Sequence, residues 1–490
     1  MLAHELLKQL DPSLSLVGVP NATVNGVTED SRQVRPGYIF VARAGTKTDG
    51  LKYIQDARTS GAIAVVCQTR TAGCPLPQVV VPDTSPMASL LSHAFLDQPS
   101  RRVRVLGVTG TNGKTTTTYL IRHILNKFNT RCGMVGTVET DDGKVVREST
   151  MTTPGSVEVA ELLASMRDKG CRACAIETSS HALHQGRVAG VRFTGAAFLN
   201  LTGDHLDYHG TMEEYAASKA RLFEMLEDHA VAVINSDDKW SARMIQDCHG
   251  RIIRFGFGRT ADYRARDVAV TASGSNFILH TPDGRAEVNL GMIGRHNIEN
   301  ALAAGALVGE VFGLSVHQIA AGLKDATGAP GRLQSVRAGQ PFSVLVDYAH
   351  TDDALENVLT ALRPLCRGKL RVLFGCGGDR DRSKRPRMAR VAARLADVVY
   401  VTSDNPRTEQ PDVILDDICR GFTPAEMSGK VRVEIDRHSA IERILSDASD
   451  LDVVLLAGKG HENYQIIGTT KHPFDDVEES RRVIQQMVAV

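Results

Sequence analysis

The stretch Val105-Leu-Gly-Val-Thr-Gly-Thr-Asn-Gly-Lys-Thr-Thr-Thr117 decides how the middle of this chain folds. An apolar strand over residues 103–108 runs into a glycine-rich turn, then into a lysine and a row of hydroxyl residues. Such a turn wraps a phosphate chain with inward-pointing backbone N–H groups, and the helix N-terminus behind it adds partial positive charge. Gly110, Thr111, Asn112 and Gly113 form the turn; Lys114 reaches the β- and γ-phosphates, and Thr115, followed by Thr116, can hold Mg²⁺. Leu120, Ile121, Ile124, Leu125 and Phe128 make one apolar stripe, so a helix follows. The strict G-x-x-x-x-G-K-[ST] spacing is not met, because its first glycine would fall at Val108. Strand, phosphate turn and helix in succession predict an α/β domain that binds a nucleoside triphosphate.

Outward from that motif, 490 residues are too many for one core and suggest roughly three domains. Gln98-Pro-Ser100 before Arg101-Arg102 reads as one linker, and Gly328-Ala-Pro-Gly331 as a second boundary. The expected domains are therefore 1–99, 100–333 and 334–490. In the first, short strands are expected at 38–42, 62–67 and 79–81. In the second, later strands fall at 173–176, 195–199 and 230–234, with a β segment near 277–291. Beyond 333, strands at 342–346, 370–374, 398–402, 431–435 and 453–457 alternate with helical stretches, including 353–365 and 386–396. That alternation predicts a doubly wound, mainly parallel sheet with ligands past the carboxyl ends of its strands, where Gly375, Asp404 and Gly458 stand.

Lysine plus arginine equals aspartate plus glutamate at 57 each, which leaves no bulk field for nucleic acid or anionic lipid. The N-terminus lacks a basic segment followed by an apolar run, and no stretch approaches about 18 apolar residues, so neither secretion nor membrane insertion is expected. Nine cysteines without framework spacing fit a reduced, cytoplasmic protein. Cys171-Arg-Ala-Cys174 leads into an apolar strand and reads as buried.

Polar motifs keep arriving at strand ends. Glu177-Thr-Ser-Ser-His181 follows one strand, and Asn200-Leu-Thr-Gly-Asp-His205-Leu-Asp-Tyr-His209 another; Lys219 lies ten residues on, in a helix, and Gly294-Arg-His-Asn297 opens a further helical stretch. Singly, such residues are more often satisfied hydrogen-bonding groups. In this order, with Gly110-Thr-Asn-Gly-Lys-Thr-Thr116, they resemble the Mur ligase family, ATP-dependent amide-forming enzymes of bacterial peptidoglycan synthesis. The resemblance runs from about Asp30 to Glu462. It implies a small N-terminal α/β uridine-nucleotide-binding domain, a central phosphate-loop ATPase-like α/β domain and a C-terminal Rossmann-like domain.

Amide synthesis from a carboxylate needs activation, because oxide is a hopeless leaving group. Phosphorylation gives an acyl phosphate, and the protein must hold several polyanions together and exclude water. The resemblance accordingly implies two Mg²⁺ ions: one on Thr115 and Glu177, another on His205 and Lys219, the lysine as a carbamate (N6-carboxylysine). Lys114, Lys219, His205 and Glu177 become the expected catalytic residues. It also implies nucleotide contacts from Asn297, Arg332, Asp347 and His350. Ser31, Thr46, Lys47 and Thr48 would touch the uridine nucleotide, and Thr152, Thr153, Ser179, Gln185 and Arg187 the muramoyl-peptide arm.

Within the family, Asp404-Asn405-Pro406-Arg407 matches the signature of members that add meso-diaminopimelate rather than lysine. Diaminopimelate carries a second carboxylate at its far end. Arg407 supplies a planar fork for it and Arg380 a second cation, while Glu462 can accept the distal ammonium and Gly458 leaves room for backbone contact. The acceptor implied is UDP-N-acetylmuramoyl-L-alanyl-D-glutamate, and the expected partners are small molecules only, with the protein a monomer. A lysine-adding relative would lack the Asp-Asn-Pro-Arg signature, and a folylpolyglutamate synthase would not require the uridine-binding domain. A nucleotide-driven switch would need neither the His205/Lys219 pair nor an amino-acid pocket.

Overall fold

The strand Arg104–Thr109 sits where the central sheet changes direction. Ala173–Glu177 pairs with it in parallel on one side and Phe193–Phe198 on the other. Val231–Asn235 and Arg251–Gly256 extend the sheet in parallel beyond Phe193–Phe198, and Cys132–Val135 beyond Ala173–Glu177. Cys132–Val135, Ala173–Glu177, Phe193–Phe198 and Val231–Asn235 are near-continuous buried runs, as burial on both faces requires, whereas Arg251–Gly256 exposes Arg251 and Arg254. The phosphate turn therefore emerges at a point where strands diverge on either side, the favoured ligand crevice of an open α/β sheet.

The computed structural model describes residues 1–43, 49–271 and 274–488, the Asp207 side chain excepted. Two compact units emerge: Met1–Arg266 with Ile278–Ala286 and Glu299–Leu323, and Asp267–Phe277 with Glu287–Ile298 and Lys324–Val490. The first unit also holds a four-stranded parallel sheet in chain order, Gly26–Thr28, Tyr38–Val41, Ala64–Cys67 and Gln78–Val80. Strand alternation sends Ile39, Val41 and Val66 against Leu6, Leu7 and Leu91, and Phe40 and Val65 against Ile54 and Ala57. The 277–291 region resolves into the strands Gly274–Thr281 and Gly284–Leu290.

In the second unit the parallel strands run in the order Ser343–Asp347, Val453–Ala457, Leu370–Phe374, Val398–Val401, Val431–Val433. Gln334–Val336 joins antiparallel at the edge beside Ser343–Asp347. This is the expected α/β architecture. Helices such as Asp352–Leu362, Lys384–Leu395 and Pro411–Cys419 cover one face, where Leu355, Leu359, Met388, Ile414 and Ile418 are buried; Arg437–Ser446 and Asp476–Val488 cover the other through Ile441, Ile444 and Ile484. All nine cysteines are free, and Cys171 and Cys174 are buried. Among the described residues no helix is long and apolar enough to cross a membrane.

Candidate active site

The phosphate turn is held by the neighbouring Asn200 and by its own Thr111 and Lys114 side chains. Thr111 N donates to the Asn200 carbonyl (2.9 Å), and Asn112 N to Asn200 Oδ1 (2.9 Å). Asn200 Nδ2 returns a bond to the Asn112 carbonyl (3.2 Å), and Thr111 Oγ1 meets the Tyr215 hydroxyl (3.2 Å). Lys114 Nζ donates to the carbonyls of Gly110 (2.8 Å) and Thr111 (2.9 Å), at the base of the turn. Gly113 is needed at its position: its φ is +88°, and an added Cβ would lie 2.2 Å from Asn300 Oδ1. We expect Gly113→Ala to destabilise the chain by about 1–3 kcal/mol through backbone strain and displacement of Asn300. Its KM for ATP should rise well above that of the wild type, as steady-state kinetics will show.

Glu177 ends its strand beside this turn, fully buried. Its carboxylate accepts from Thr115 Oγ1 (3.0 Å), Thr137 Oγ1 (2.9 Å) and Thr137 N (2.8 Å). The result is a pocket of oxygen donors around one negative charge at the start of the phosphate-loop helix. Lys219 is 1% exposed. Its Nζ donates to the Gly110 carbonyl (2.9 Å) and lies 4.6 Å from the Tyr215 ring centre. Burial, reinforced by the Lys114 charge, pushes this amine well below the usual lysine range. His205 is exposed, 3.4 Å from Asp204, with its ring 6.1 Å from that of Tyr215 and 4.9 Å from His181. Lys219 and His205 therefore flank one tyrosine. Among the described residues no three His, Cys, Asp or Glu side chains cluster as a metal site.

The expected peptide-arm residues come together. Thr153 Oγ1 donates to the Glu177 carbonyl (2.7 Å) and lies 3.2 Å from Ser179 Oγ; Thr152 meets Thr137 (3.1 Å). Arg187 grips Gln185 Oε1 through Nε (2.9 Å) and Nη2 (2.7 Å), and Nη1 donates to the Thr153 carbonyl (2.9 Å). Ser31 begins a short helical turn capped by Asp30, whose carboxylate also pairs Arg32. Thr46, Lys47 and Thr48 lie outside the described residues.

In the second unit, Asn297 Nδ2 donates to the Ile293 carbonyl (2.8 Å). Asp347 staples two loops, accepting from Leu333 N (2.7 Å) and Ala349 N (2.8 Å), and burial raises its pKa against the opposing pull of Arg332. The Arg332 guanidinium sits 5.0 Å from the Tyr348 ring centre. His350 lies 4.6 Å from that ring, and its carbonyl accepts from Lys384 Nζ (2.8 Å).

Asp404, Asn405 and Pro406 are buried at the end of Val398–Val401. Asn405 Nδ2 donates to Glu462 Oε2 (2.7 Å), and Gly458 would place a Cβ 3.3 Å from Asp404 Oδ2. Arg407 is half-buried, with Nη1 donating to the Gly378 carbonyl (2.8 Å); Arg380 is exposed and donates to the Asp379 carbonyl (3.1 Å). Sequence reasoning missed Lys459, fully buried and 3.5 Å from Glu462, 3.7 Å from Asp404 and 3.4 Å from Asn405 Oδ1. Burial, then the Asp404 charge, raises the Glu462 pKa. The pocket thus holds two carboxylates, a buried ammonium and a guanidinium at one strand edge.

Glu409 beside it is held down to about 2 by Arg385, with help from Asp379 N and Arg382. A depressed carboxylate stabilises the fold above its unfolded value of 4.5, and that contribution disappears as pH falls through about 2. Melting between pH 5 and 2 should therefore cost the wild type more Tm than Glu409→Gln.

Family models match along the chain: Mur ligase family, catalytic domain, over residues 23–91; Mur ligase middle domain, over 108–308; and Mur ligase, glutamate ligase domain, over 331–460. A UDP-N-acetylmuramoyl-L-alanyl-D-glutamate–2,6-diaminopimelate ligase of Gloeobacter violaceus is 44% identical, covering 99% of this chain and 98% of its own. One of the same name from Bacillus licheniformis is 40% identical, covering 99% of each. A solved structure of such a ligase aligns with a TM-score of 0.73 at 35% identity over 96% of both chains. Those matches run through the phosphate turn, the Glu177 and Lys219 segments and the Asp404–Arg407 turn alike, and the chain belongs to the Mur ligase family.

Proposed function

We propose that this chain is the ATP-dependent ligase that joins meso-diaminopimelate to the D-glutamyl side-chain carboxylate of UDP-N-acetylmuramoyl-L-alanyl-D-glutamate, in cytoplasmic peptidoglycan precursor synthesis. The observation that carries the choice of amino acid is the charge pattern at the Asp404–Arg407 edge. Arg407 offers a fork for the distal carboxylate, and Asp404 and Glu462 offer carboxylates for the distal ammonium, with Asn405 Nδ2 holding Glu462 in place. A lysine-only pocket has no use for that guanidinium. The relatives' names support the same reading.

The γ-phosphoryl group moves from ATP to the acceptor carboxylate, giving an acyl phosphate and ADP. An amine of diaminopimelate attacks the acyl carbon, the tetrahedral intermediate collapses, and phosphate leaves with its bonding pair while the amine loses a proton. The Gly110–Thr116 turn cradles the phosphates, and Lys114, released from its carbonyl partners, follows the γ-phosphoryl charge. Asn297, Arg332, Asp347 and His350 keep their nucleotide role in this reading, and Ser31 and residues 46–48 their uridine-nucleotide role. Thr152, Thr153, Ser179, Gln185 and Arg187 orient the peptide arm.

The oxygen donors around Glu177 suit a hard divalent cation, so Thr115 and Glu177 would hold one Mg²⁺, with His205 and Lys219 holding a second. Bound there, the ions neutralise phosphoryl charge and polarise its oxygens. A lysine ammonium ligates nothing, but the buried Lys219 amine favours its neutral form, to which carbon dioxide adds with loss of a proton to leave a carbamate. The enzyme is read as a monomer.

Phosphate release measured with each substrate omitted in turn tests the assignment. Release only when ATP, the muramoyl dipeptide and diaminopimelate are all present supports it. Release from ATP alone would indicate a nucleotide switch instead.

A further inference from the structure

The Arg407 guanidinium is set by a second loop and by residues outside the Asp404–Arg407 turn. Arg407 has φ +50°, in the left-handed region that residues other than glycine seldom adopt, and Asp379 in the facing loop has φ +55°. Such conformations persist only where the surroundings over-determine them. The two loops follow neighbouring parallel strands, Leu370–Phe374 and Val398–Val401, and they are cross-tied at every step. Gly378 N donates to the Asn405 carbonyl (2.9 Å), and Arg407 Nη1 returns to the Gly378 carbonyl (2.8 Å). A Cβ on Gly378 would stand 1.9 Å from the Pro406 carbonyl oxygen, so the approach is as close as backbone allows.

Past Arg407 the ties become ionic. Thr408 donates to the Asp379 carboxylate from Oγ1 (2.8 Å) and from N (3.1 Å). Glu409 Oε1 accepts from Asp379 N (2.7 Å) and from Arg385 Nη2 (2.8 Å); Glu409 Oε2 accepts from Arg382 (2.7 Å) and Arg385 Nη1 (3.1 Å). Arg385, 0% exposed, extends the lock to Asp417 (2.9 Å) and to the Gly377 carbonyl (3.3 Å). A buried guanidinium thus clamps both loops and the helix Pro411–Cys419 together. Its carboxylate partner sits two residues from Arg407.

We propose that Glu409 and Arg385 are positioning residues for diaminopimelate selection: they fix the Asp379–Thr408 contact and so aim Arg407 at the distal carboxylate. The proposal rests on the function assigned above and adds residues that touch no substrate. A charge held in the wrong direction recognises a carboxylate poorly, so loosening the clamp weakens binding of this one substrate.

The test is a double-mutant cycle on the full-length enzyme, with KM for all three substrates, the diaminopimelate-to-lysine ratio of kcat/KM, and Tm as readouts. Arg407→Ala sets the reference. Glu409→Gln, which keeps the shape and removes the charge, should raise the KM for diaminopimelate about tenfold and lower the selectivity ratio, leaving the KM values for ATP and muramoyl dipeptide within about twofold. In the Arg407→Ala background the same change should add nothing. Thr408→Val, which removes only a hydroxyl, should move the KM for diaminopimelate the same way with little change in Tm. Arg407→Ala with a wild-type KM for diaminopimelate overturns the function reading, and this proposal with it. A normal Arg407→Ala effect with additive Glu409→Gln, or with all three KM values shifted in step, overturns the positioning role alone.

Discussion

Replacing Lys219 with alanine should lower turnover by about a thousandfold or more, the scale of removing a preorganised electrostatic group from an active site. ATP binding should stay within a few-fold of the wild type, because Asn200 ties the phosphate turn through three hydrogen bonds and this side chain adds one, to the Gly110 carbonyl. The lysine is 1% exposed, its amine bonds the Gly110 carbonyl and lies over the Tyr215 ring, and its charge is disfavoured by burial and by Lys114. A buried lysine whose cation meets one carbonyl and one aromatic ring but no carboxylate hydrogen bond among the described residues is expensive to keep for packing alone. Activity in buffer stripped of carbon dioxide should fall for the wild type and return on adding bicarbonate. Near-normal turnover of Lys219→Ala would remove the carbamate from the account.

The second large effect is on stability. Arg437 and Asp476 are both 0% exposed and joined by two bonds, Nη2 to Oδ2 (2.6 Å) and Nε to Oδ1 (2.8 Å). The same guanidinium donates to the carbonyls of Ser403 (3.3 Å) and Ala457 (3.2 Å), the residues just before Asp404 and Gly458. It therefore ties the two strand ends from which the amino-acid pocket grows. Asp476→Ala leaves a buried cation without its counter-charge and should cost about 3–5 kcal/mol, read as a loss of denaturant midpoint. Arg437→Met with Asp476→Leu should recover most of that stability, since apolar replacements of buried pairs are often neutral. It should still bind diaminopimelate more weakly, because the Ser403 and Ala457 carbonyls lose their common donor. Equal stability of Asp476→Ala and the wild type would contradict the buried pair's role.

The elements that could be read from sequence are those whose apolar runs are long enough to show. Ala173–Glu177, Leu370–Phe374 and Val453–Ala457 are buried strands of five residues, each ending at a polar motif, and they fall where the pattern places them. Gly26–Thr28 and Cys132–Val135 escaped notice because three or four residues with a glycine among them carry no period. The helix expected over 386–396 begins earlier, at Lys384, because Pro386 falls in its first turn, where a proline lacks no needed donor.

In the candidate site the phosphate turn, Glu177 and the Asp404–Arg407 turn stand out because glycines and clustered polar residues follow apolar strands. The supporting residues do not. Lys459 between two glycines reads as a solvated loop charge, and its burial depends on Asp404 and Glu462, far apart in sequence from each other. Arg385 and Arg437 lie in basic helix starts that look like solvated faces until Glu409, Asp417 and Asp476 arrive by tertiary folding. Thr137 meets Glu177 across 40 positions. Pairings of that kind belong to the fold, and no local pattern announces them.

The most direct measurement is ligation with meso-diaminopimelate and L-lysine side by side, each at matched ATP and muramoyl dipeptide, with the tripeptide product identified by mass. Unmatched burial of the Arg407 charge should leave lysine slower by about a hundredfold or more in kcat/KM. Comparable rates for the two amino acids, or faster use of lysine, would contradict the claim that this pocket reads a second carboxylate.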